Sequence, residues 1–424
     1  MSNRFEITTY EREYLRELAR KVIEYSNLPI MEERKKQWYA HNQLQGSKPP
    51  IIMEWYTFAG DVMPAMKCES DSAKAIEGQL VSHIMNHELI DDDKVMPSFF
   101  PIHWQISNNR LGVEYAVQHA KDSSGRELGF HIDPPIKDIT KDLGLLKHSQ
   151  FSVDREGTYA WKAFVDETIG DILPTRIKNG SMDWFFCLTA VTVNLMSMEN
   201  MFVAMIDHPD EFHQMMSFIT DDSLAFTKWQ EDENLLVLNN DNDYVGSGSY
   251  GFTNELPVSD TYAKTGKVTA KDLWCNFNSQ ESVGLSPSMY AEYIFPYYRK
   301  VADHFGQMYY GCCEPVHEIW DNCLSELSNL HKVSVSAWCD EDFIGDRLHG
   351  GKTIYSRKPS PNFIGVGETL DEKAFAEHIS KTLQAAKGCP LEFIFRDIYI
   401  LNGDQSKPAR AIKIVREQIE KMRA

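Results

Sequence analysis

The stretch Gln307-Met-Tyr-Tyr-Gly-Cys-Cys-Glu314 joins a short apolar run to a polar turn, and this arrangement decides the predicted fold. Similar apolar or β-branched runs recur through the second half of the chain, with amphipathic helical segments between most of them. The runs cover residues 235–238, 272–277, 307–310, 333–337, 353–356 and 391–395. Strands that alternate with helices in this way predict parallel βαβ units.

Polar residues follow each of these runs. The chain continues into Asn239-Asn-Asp241, Asn278-Ser-Gln-Glu281, Gly311-Cys-Cys-Glu314, Trp338-Cys-Asp340, Arg357-Lys-Pro359 and Arg396-Asp397. A (β/α)8 barrel builds its site from such strand-to-helix turns, all at one rim. A doubly wound sheet places ligands only near its switch point. Six consecutive polar strand ends therefore favour an α/β fold of the (β/α)8 TIM-barrel type.

The N-terminal residues predict helix instead of strand. In the segment 10–23 the apolar residues recur with a period close to 3.6, and Pro29, Gly46 and Pro49 interrupt the pattern. A short apolar run then starts at Ile51. We therefore predict a helical segment over residues 1–48, followed by a barrel over residues 49–424.

Composition limits the function classes. The 424 residues carry 43 Lys+Arg and 62 Asp+Glu, a net charge of −19, and 42% of them are hydrophobic, enough for a sizeable core. Such an acidic chain is poorly suited to nucleic acid or to an anionic membrane. The sequence has no apolar stretch of transmembrane length and no basic start followed by an apolar core. The eight cysteines are sparse for this length, which favours free thiols and a cytoplasmic protein.

Two adjacent thiols and a carboxylate give the strongest functional signal. Cys312, Cys313 and Glu314 follow a predicted strand directly, and thiolates with a carboxylate are ligands of zinc. These three residues are predicted to hold a metal ion, with Glu314 also a catalytic candidate. The alternative is that both cysteines are small buried hydrophobic residues.

Other strand ends supply weaker candidates. Asp397 and Gln280 are predicted catalytic residues, although Asp397 also suits a salt bridge with Arg396. Asn240, Glu54 and Lys358 are predicted to bind substrate, and a helix cap, a solvated carboxylate and a surface cation are their alternatives.

Gly246-Ser-Gly-Ser-Tyr-Gly251 matches the spacing GxGxxG, but the sequence around it does not fit a dinucleotide site. That fingerprint needs a strand that leads directly into a helix. Here a polar stretch precedes the glycines, and Phe252-Thr-Asn-Glu-Leu-Pro257 follows them. We predict a flexible substrate loop over the barrel mouth instead.

The strand-end motifs together resemble the uroporphyrinogen decarboxylase-like superfamily, closest to its members associated with corrinoid-dependent methyl transfer. The motifs lie within residues 235–410. They are Leu256-Pro257, Lys271-Asp-Leu-Trp274, Gln280, Val283-Gly-Leu-Ser-Pro287, Tyr310-Gly-Cys-Cys-Glu-Pro315, Val333-Ser-Val-Ser336, Lys358-Pro-Ser-Pro361, Arg396-Asp-Ile398 and Asn402-Gly-Asp404.

The resemblance implies a zinc site that this sequence alters. Zinc-dependent methyltransferases of the superfamily carry His-x-Cys where Tyr310-Gly-Cys312 stands, and a later cysteine where Arg396 or Asp397 stands. Tyr310 then becomes a candidate substrate-binding residue, and Cys313, Glu314 or Asp397 would complete the zinc ligands. True decarboxylases of the superfamily carry an arginine-rich N-terminal motif, which this chain lacks.

The resemblance implies a methyltransferase that moves a methyl group between a small methoxy- or methylamine-type compound and a corrinoid carried by a partner protein. Zinc is the implied cofactor. A decarboxylase-type lyase acting on a small acid and a non-catalytic corrinoid-binding protein are the alternatives. The methyl donor, the direction of transfer and the choice between monomer and homodimer stay open.

Overall fold

The computed structural model describes residues 5–121, 123, 127–179 and 184–423. Its strands are β1 Ile51–Met53, β2 Phe100–His103, β3 Gln105–Asn108, β4 Val117–Lys121, β5 Glu127–Ile132, β6 Phe151–Asp154, β7 Thr175–Lys178, β8 Tyr244–Gly246, β9 Ser249–Tyr250, β10 Trp274–Phe277, β11 Gln307–Tyr310, β12 Leu330–Val335, β13 Ile354–Arg357 and β14 Leu391–Phe395.

The helices occupy the connections between strands and both ends of the chain. They are α1 Thr9–Ser26, α2 Pro29–Asn42, α3 Ala59–Val62, α4 Asp71–Met85, α5 Ile139–Asp142, α6 Arg155–Val165, α7 Leu188–Met196, α8 Met198–Asp207, α9 Pro209–Asp232, α10 Asp260–Thr265, α11 Pro287–Tyr293, α12 Phe295–Ala302, α13 His317–Trp320, α14 Glu341–Leu348, α15 Asn362–Gly365, α16 Glu372–Ala385 and α17 Lys407–Arg423.

A six-stranded sheet organises the molecule. Its strands follow the order β1-β14-β13-β12-β11-β10, and each neighbouring pair is parallel. Five of the six predicted strands of the second half belong to it. Since parallel strands start and finish at common edges, the turns that follow them lie along one edge of the sheet.

Alternate residues of the strands lie on opposite faces of the sheet. In β14, Phe393 and Phe395 belong to the large core between the sheet and the helices of the second half. Ile394 faces the other way and packs with Ile52 and with Trp38 of α2. The N-terminal helix α2 therefore covers the second face of the sheet, which we call the concave face.

The predicted strand at 235–238 is absent, and this is a correction. Side-chain amides pair with this segment where a strand ladder was expected. Asn179 accepts from the N–H of Val237 at 2.8 Å and donates to its carbonyl. Asn239 in turn accepts from the N–H of Trp274 at 2.9 Å and donates to its carbonyl at 3.0 Å.

A complete eight-stranded barrel is likewise not seen among the strands of the described residues. β2 pairs in parallel with β7 but forms a separate two-stranded sheet. The fold supported is a mixed α/β protein with a six-stranded parallel sheet, consistent with a TIM-like architecture.

Within residues 5–121, 123, 127–179 and 184–423, no single helix has the length and apolar character needed to cross a membrane. The bent pair α7 and α8 meets the length and composition requirement only when the two helices are taken together.

Candidate active site

The candidate site lies at the carboxyl edge of the six-stranded sheet. Cys312 and Cys313 follow β11, Asp397 follows β14 and Glu54 follows β1. Each side chain comes from the first residues after a strand, so the parallel arrangement brings them to one edge although they are far apart in sequence.

The two thiols contact each other and one carboxylate. The Sγ atoms of Cys312 and Cys313 are 3.5 Å apart, and the Cys313 thiol donates to Oδ2 of Asp397 at 2.9 Å. Cys312 is 5% exposed, whereas Cys313 and Asp397 are partly exposed. Asp397 has a positive φ of 59°, an uncommon conformation for a non-glycine residue. The thiols and the carboxylate thus form one cluster, and Asp397 and Cys313 are its accessible side.

Glu314 faces away from this cluster and holds the backbone of the turn. Its two oxygens accept the N–H of Cys312 at 2.9 Å and the N–H of Ser279 at 3.0 Å. The carboxylate is 3% exposed, and burial raises its pKa. Glu314 therefore ties the turn after β11 to the turn after β10 and fixes the position of Cys312.

The predicted zinc ligands do not fit this geometry. Both Glu314 oxygens are occupied by backbone N–H groups, so the set Cys312, Cys313 and Glu314 does not converge on one point. No group of three His, Cys, Asp or Glu side chains in the described part of the chain has the arrangement of a metal site. Cys339 lies near the turn, but its thiol contacts the backbone carbonyl of Glu314 at 3.9 Å.

The pKa values of the two thiols are shifted in opposite directions. The hydrogen bond from Cys313 lowers the pKa of Cys312, and the positive charge of Arg396 acts in the same direction. The neighbouring Cys312, burial and the Asp397 carboxylate raise the pKa of Cys313. In this arrangement Cys312 is the more acidic thiol, and Cys313 keeps its proton between a sulfur and a carboxylate.

Arg396 joins the thiol cluster to a second group of polar side chains. Its guanidinium is 3.2 Å from the Glu54 carboxylate and 3.7 Å from Asp397, and it donates to Ser247 Oγ at 2.7 Å. The hydroxyl of Tyr244 donates to Glu54 at 3.1 Å. Glu54 is thus a buried partner of Arg396 and not a solvated carboxylate.

A cavity of about 280 Å³ borders this second group of side chains, and we call it the mouth cavity. Its lining includes Glu54, Tyr56, Trp184, Tyr244 and Tyr250. The Arg396 guanidinium lies over the Trp184 ring at 5.4 Å from its centroid. The mouth cavity therefore combines a carboxylate with aromatic surfaces, the usual composition of a small-molecule site.

Lys358 is buried beside the cluster, and among the described residues no carboxylate lies within hydrogen-bonding distance of its ammonium. Its ammonium donates to Tyr309 OH and, at 2.9 Å, to Ser356 Oγ. Burial lowers its pKa to about 7, and the positive Arg396 contributes to this lowering. The structure thus places Lys358 in the interior and not on the surface.

Three predicted residues have other surroundings. Tyr310 is fully buried and hydrogen-bonds with Ser279 and Tyr290, on the face of β11 that packs against helices. The amide of Asn240 donates to the carbonyl of Leu256 at 2.8 Å, which holds a loop. Gln280 is partly exposed at the start of a short 3₁₀ helix.

The glycine-rich segment 246–251 is not the flexible loop that the sequence predicted. It forms part of the hairpin β8–β9 and packs into the concave face, with Ser247 and Ser249 fully buried. A Cβ at Gly248 would lie 2.2 Å from Ile394. The glycines therefore permit close backbone approach to the sheet and place Ser247 on Arg396.

Sequence reasoning missed Tyr244, Trp184 and Ser247 as neighbours of the site. They lie outside the strand ends that guided the search. A usable signal was present in the glycine spacing at 246, 248 and 251, because glycines often mark close backbone approach.

Comparison with known proteins identifies the fold and leaves the family open. No family model matches the chain. No curated protein matches it either. Among solved structures, the chain is similar to a methyltransferase from Methanosarcina mazei, with 12% sequence identity and a TM-score of 0.50, covering 92% of this chain and 99% of that one. At this identity the likeness shows a shared fold alone.

Proposed function

We propose that this protein is a methyltransferase that moves a methyl group between a small methylated compound and a corrinoid bound to a partner protein. The observation that carries the proposal is the cluster of Cys312, Cys313 and Asp397 at the carboxyl edge of the sheet, with Arg396 beside it. The methyltransferase-related fold supports the same reaction class. We also infer that the sheet belongs to a closed (β/α)8 barrel of the uroporphyrinogen decarboxylase-like type.

The reaction needs a proton for the leaving group. For a methyl ether the bond between methyl carbon and oxygen breaks, the reduced cobalt of the partner accepts the methyl group, and the oxygen takes a proton to become a hydroxyl. Cys313 holds a thiol proton 2.9 Å from Asp397. We assign Cys313 and Asp397 to deliver this proton, since general acids act on the leaving group in this way. Glu314 is a positioning residue of the same turn.

Arg396 and the more acidic thiol, Cys312, are the remaining members of the proposed catalytic group. The guanidinium lies between Glu54 and Asp397, so it stabilises negative charge that develops next to either carboxylate. The Sγ of Cys312 lies 3.5 Å from that of Cys313, beside the thiol that donates to Asp397. The set Cys312, Cys313 and Glu314 does not converge on one point, and we route no step through a metal ion.

The surroundings of the cluster favour a protein partner. Large apolar side chains are exposed in the connections that follow the strands, and Trp338, the most exposed of them, has 73% of its surface accessible. The others are Tyr56, Val283, Val366, Tyr399 and Ile400. Exposed apolar groups around one site are typical of docking surfaces. This rim is therefore the proposed contact with the corrinoid protein.

The test is a screen of methoxylated aromatics and methylamines against a purified corrinoid protein in its Co(I) state. We expect one class of donor to convert the visible spectrum to that of the methylated corrinoid only when this protein is present. Release of carbon dioxide from a small acid without any corrinoid partner would contradict the proposal and favour the decarboxylase alternative.

A further inference from the structure

A second cavity of about 320 Å³ lies behind the mouth cavity, and we call it the histidine chamber. One wall is α4, which presents Gln79 and His83 to it; His87, just after the end of α4, continues the same spacing of four residues. Residues four apart share one helical face. A helix that packs against a domain usually buries an apolar stripe there, so these polar side chains indicate an interior that holds polar groups.

The opposite wall and roof come from other parts of the chain. Lys178 at the end of β7 and His103 at the end of β2 contribute polar groups, and Tyr244 and Tyr250 of the hairpin β8–β9 contribute aromatic rings. Phe99 adds a third ring. The chamber thus combines aromatic surface with a few hydrogen-bonding groups, as small-molecule sites do.

The histidine chamber lies between the mouth cavity and the molecular surface. Lys94, Tyr244 and Tyr250 line both the chamber and the mouth cavity. On its other side, Gln79 and His103 also line an open surface groove. The three spaces therefore adjoin one another through shared lining residues, with the chamber between the mouth cavity and the groove.

The charges around the chamber are paired. Lys178 is 2.7 Å from Asp243, Lys94 is 3.6 Å from Asp92, and the buried Arg34 is 2.6 Å from Asp91. Burial and the charge of Lys94 lower the pKa of His83 to about 4, which leaves its imidazole neutral at pH 7. A ligand that carries a net charge would lie in a neutral enclosure without a counterion.

We propose that the histidine chamber binds a small neutral aromatic compound with hydroxyl or ether oxygens, and that the methyl donor passes through this chamber on its way to the mouth cavity. The second part rests on the proposed methyl transfer; the binding site itself does not. The rings of Tyr244, Tyr250 and Phe99 suit an aromatic ring, and Gln79 and His83 suit its oxygens. Entry through the groove leaves the apolar rim free for the corrinoid protein.

The experiment measures binding by calorimetry with three probes on the full chain: 2-methoxyphenol, the anion 4-hydroxy-3-methoxybenzoate and the tetramethylammonium cation. We expect 2-methoxyphenol to bind most tightly. His83→Leu removes a hydrogen-bonding group and is expected to weaken this binding about tenfold. His304→Leu, at an exposed position just after the end of α12, is the matched control and leaves the affinity unchanged.

A second variant keeps the test informative if His83→Leu is poorly folded. Gln79→Trp places a large ring between the groove and the chamber, and we expect it to slow or abolish binding while the thiols titrate as in the unchanged protein. Equal affinity of 2-methoxyphenol for the unchanged protein, His83→Leu and Gln79→Trp would overturn the chamber. Tighter binding of either charged probe would overturn its proposed ligand class.

The outcome also separates the two proposals. Corrinoid methylation that proceeds at an unchanged rate in Gln79→Trp and His83→Leu overturns the histidine chamber and leaves methyl transfer standing. The opposite result is also informative. If both variants lose binding of 2-methoxyphenol, the chamber is supported as a binding site. If, in addition, no corrinoid protein is methylated, methyl transfer is contradicted.

Discussion

Two clusters of ionisable side chains lie on the same sheet and have opposite characters. On the concave face, Lys332, Glu392 and His41 are buried and bonded to one another, with Glu392 3.1 Å from Lys332 and 3.0 Å from His41. At the carboxyl edge, Cys313 and Asp397 are partly exposed and border an open side. Charge in the interior alone therefore does not mark a reactive site. Access to solvent, and a proton held by a partly exposed group, distinguish the second cluster.

The largest expected effect comes from breaking the concave cluster. Lys332→Met removes the buried ammonium that lies 3.1 Å from Glu392, and uncompensated buried charges typically cost about 3–5 kcal/mol of unfolding free energy. Urea denaturation measures this loss. The control is Lys300→Met, whose exposed partner is Asp221, with an expected cost of about 0–1 kcal/mol. Similar losses for both variants would contradict a structural role of the concave cluster.

For the thiol cluster we expect the reverse: a substitution lowers the reaction rate and leaves the unfolding free energy nearly unchanged. Asp397→Asn removes the carboxylate that accepts from Cys313 and so interrupts the assigned proton route, and loss of general acid catalysis typically lowers the rate about 10²-fold or more. Its unfolding free energy should stay close to that of the unchanged protein. Single-turnover methylation of the corrinoid protein gives the rate, and unchanged turnover in Asp397→Asn would rule out the assigned proton route.

The hairpin β8–β9 connects the two clusters, and its glycines test that connection. Gly248→Ala adds a Cβ 2.2 Å from Ile394 at a φ of +90°, and overpacking of this kind costs about 1–3 kcal/mol. Gly266→Ala is the matched control, because its φ is +71° and no atom lies within 4 Å of the new Cβ. Thermal unfolding should show a clearly larger loss for Gly248→Ala; equal losses would mean that backbone strain alone explains both.

The smallest expected effect is a change in thiol titration. The hydrogen bond from Cys313 lowers the pKa of Cys312, so the thiolate forms at lower pH in the folded chain than in the unfolded one. Cys313→Ala removes that donor and should move the ultraviolet thiolate signal to higher pH. Cys389→Ala changes a cysteine whose thiol donates to the Gly345 carbonyl at 3.3 Å, and it should leave that signal in place.

The sequence predicted the part of the fold that follows from hydrophobic periodicity and from the turn residues between elements. Apolar runs with polar turns identified five strands of the sheet and brought Cys312, Cys313, Asp397 and Glu54 to one edge. It did not predict that the side chains of Asn179 and Asn239 would pair with the segment 235–238. No local pattern indicates such long-range pairing by side-chain amides.

The sequence also did not predict the direction in which a side chain points within a turn. Glu314 is two residues from Cys312, which suggested a shared ligand set, yet its carboxylate bonds to backbone N–H groups of two turns. Tyr310 likewise faces the helices because strand alternation places Tyr309 on the concave side, where its hydroxyl bonds Ser356 at 2.7 Å. The register of a strand decides which face of the sheet a side chain lies on, and a shift of one residue moves it to the other face.

The most direct test of the central assignment compares two cysteines at opposite ends of the sheet. Methylation of a Co(I) corrinoid protein is followed by its visible spectrum with the unchanged protein, Cys313→Ser and Cys389→Ser. Cys313 follows β11 at the carboxyl edge, and Cys389 precedes β14 at the other edge. We predict a severe loss of rate in Cys313→Ser and full activity in Cys389→Ser. Full activity in both variants would contradict a role of the thiol cluster in methyl transfer.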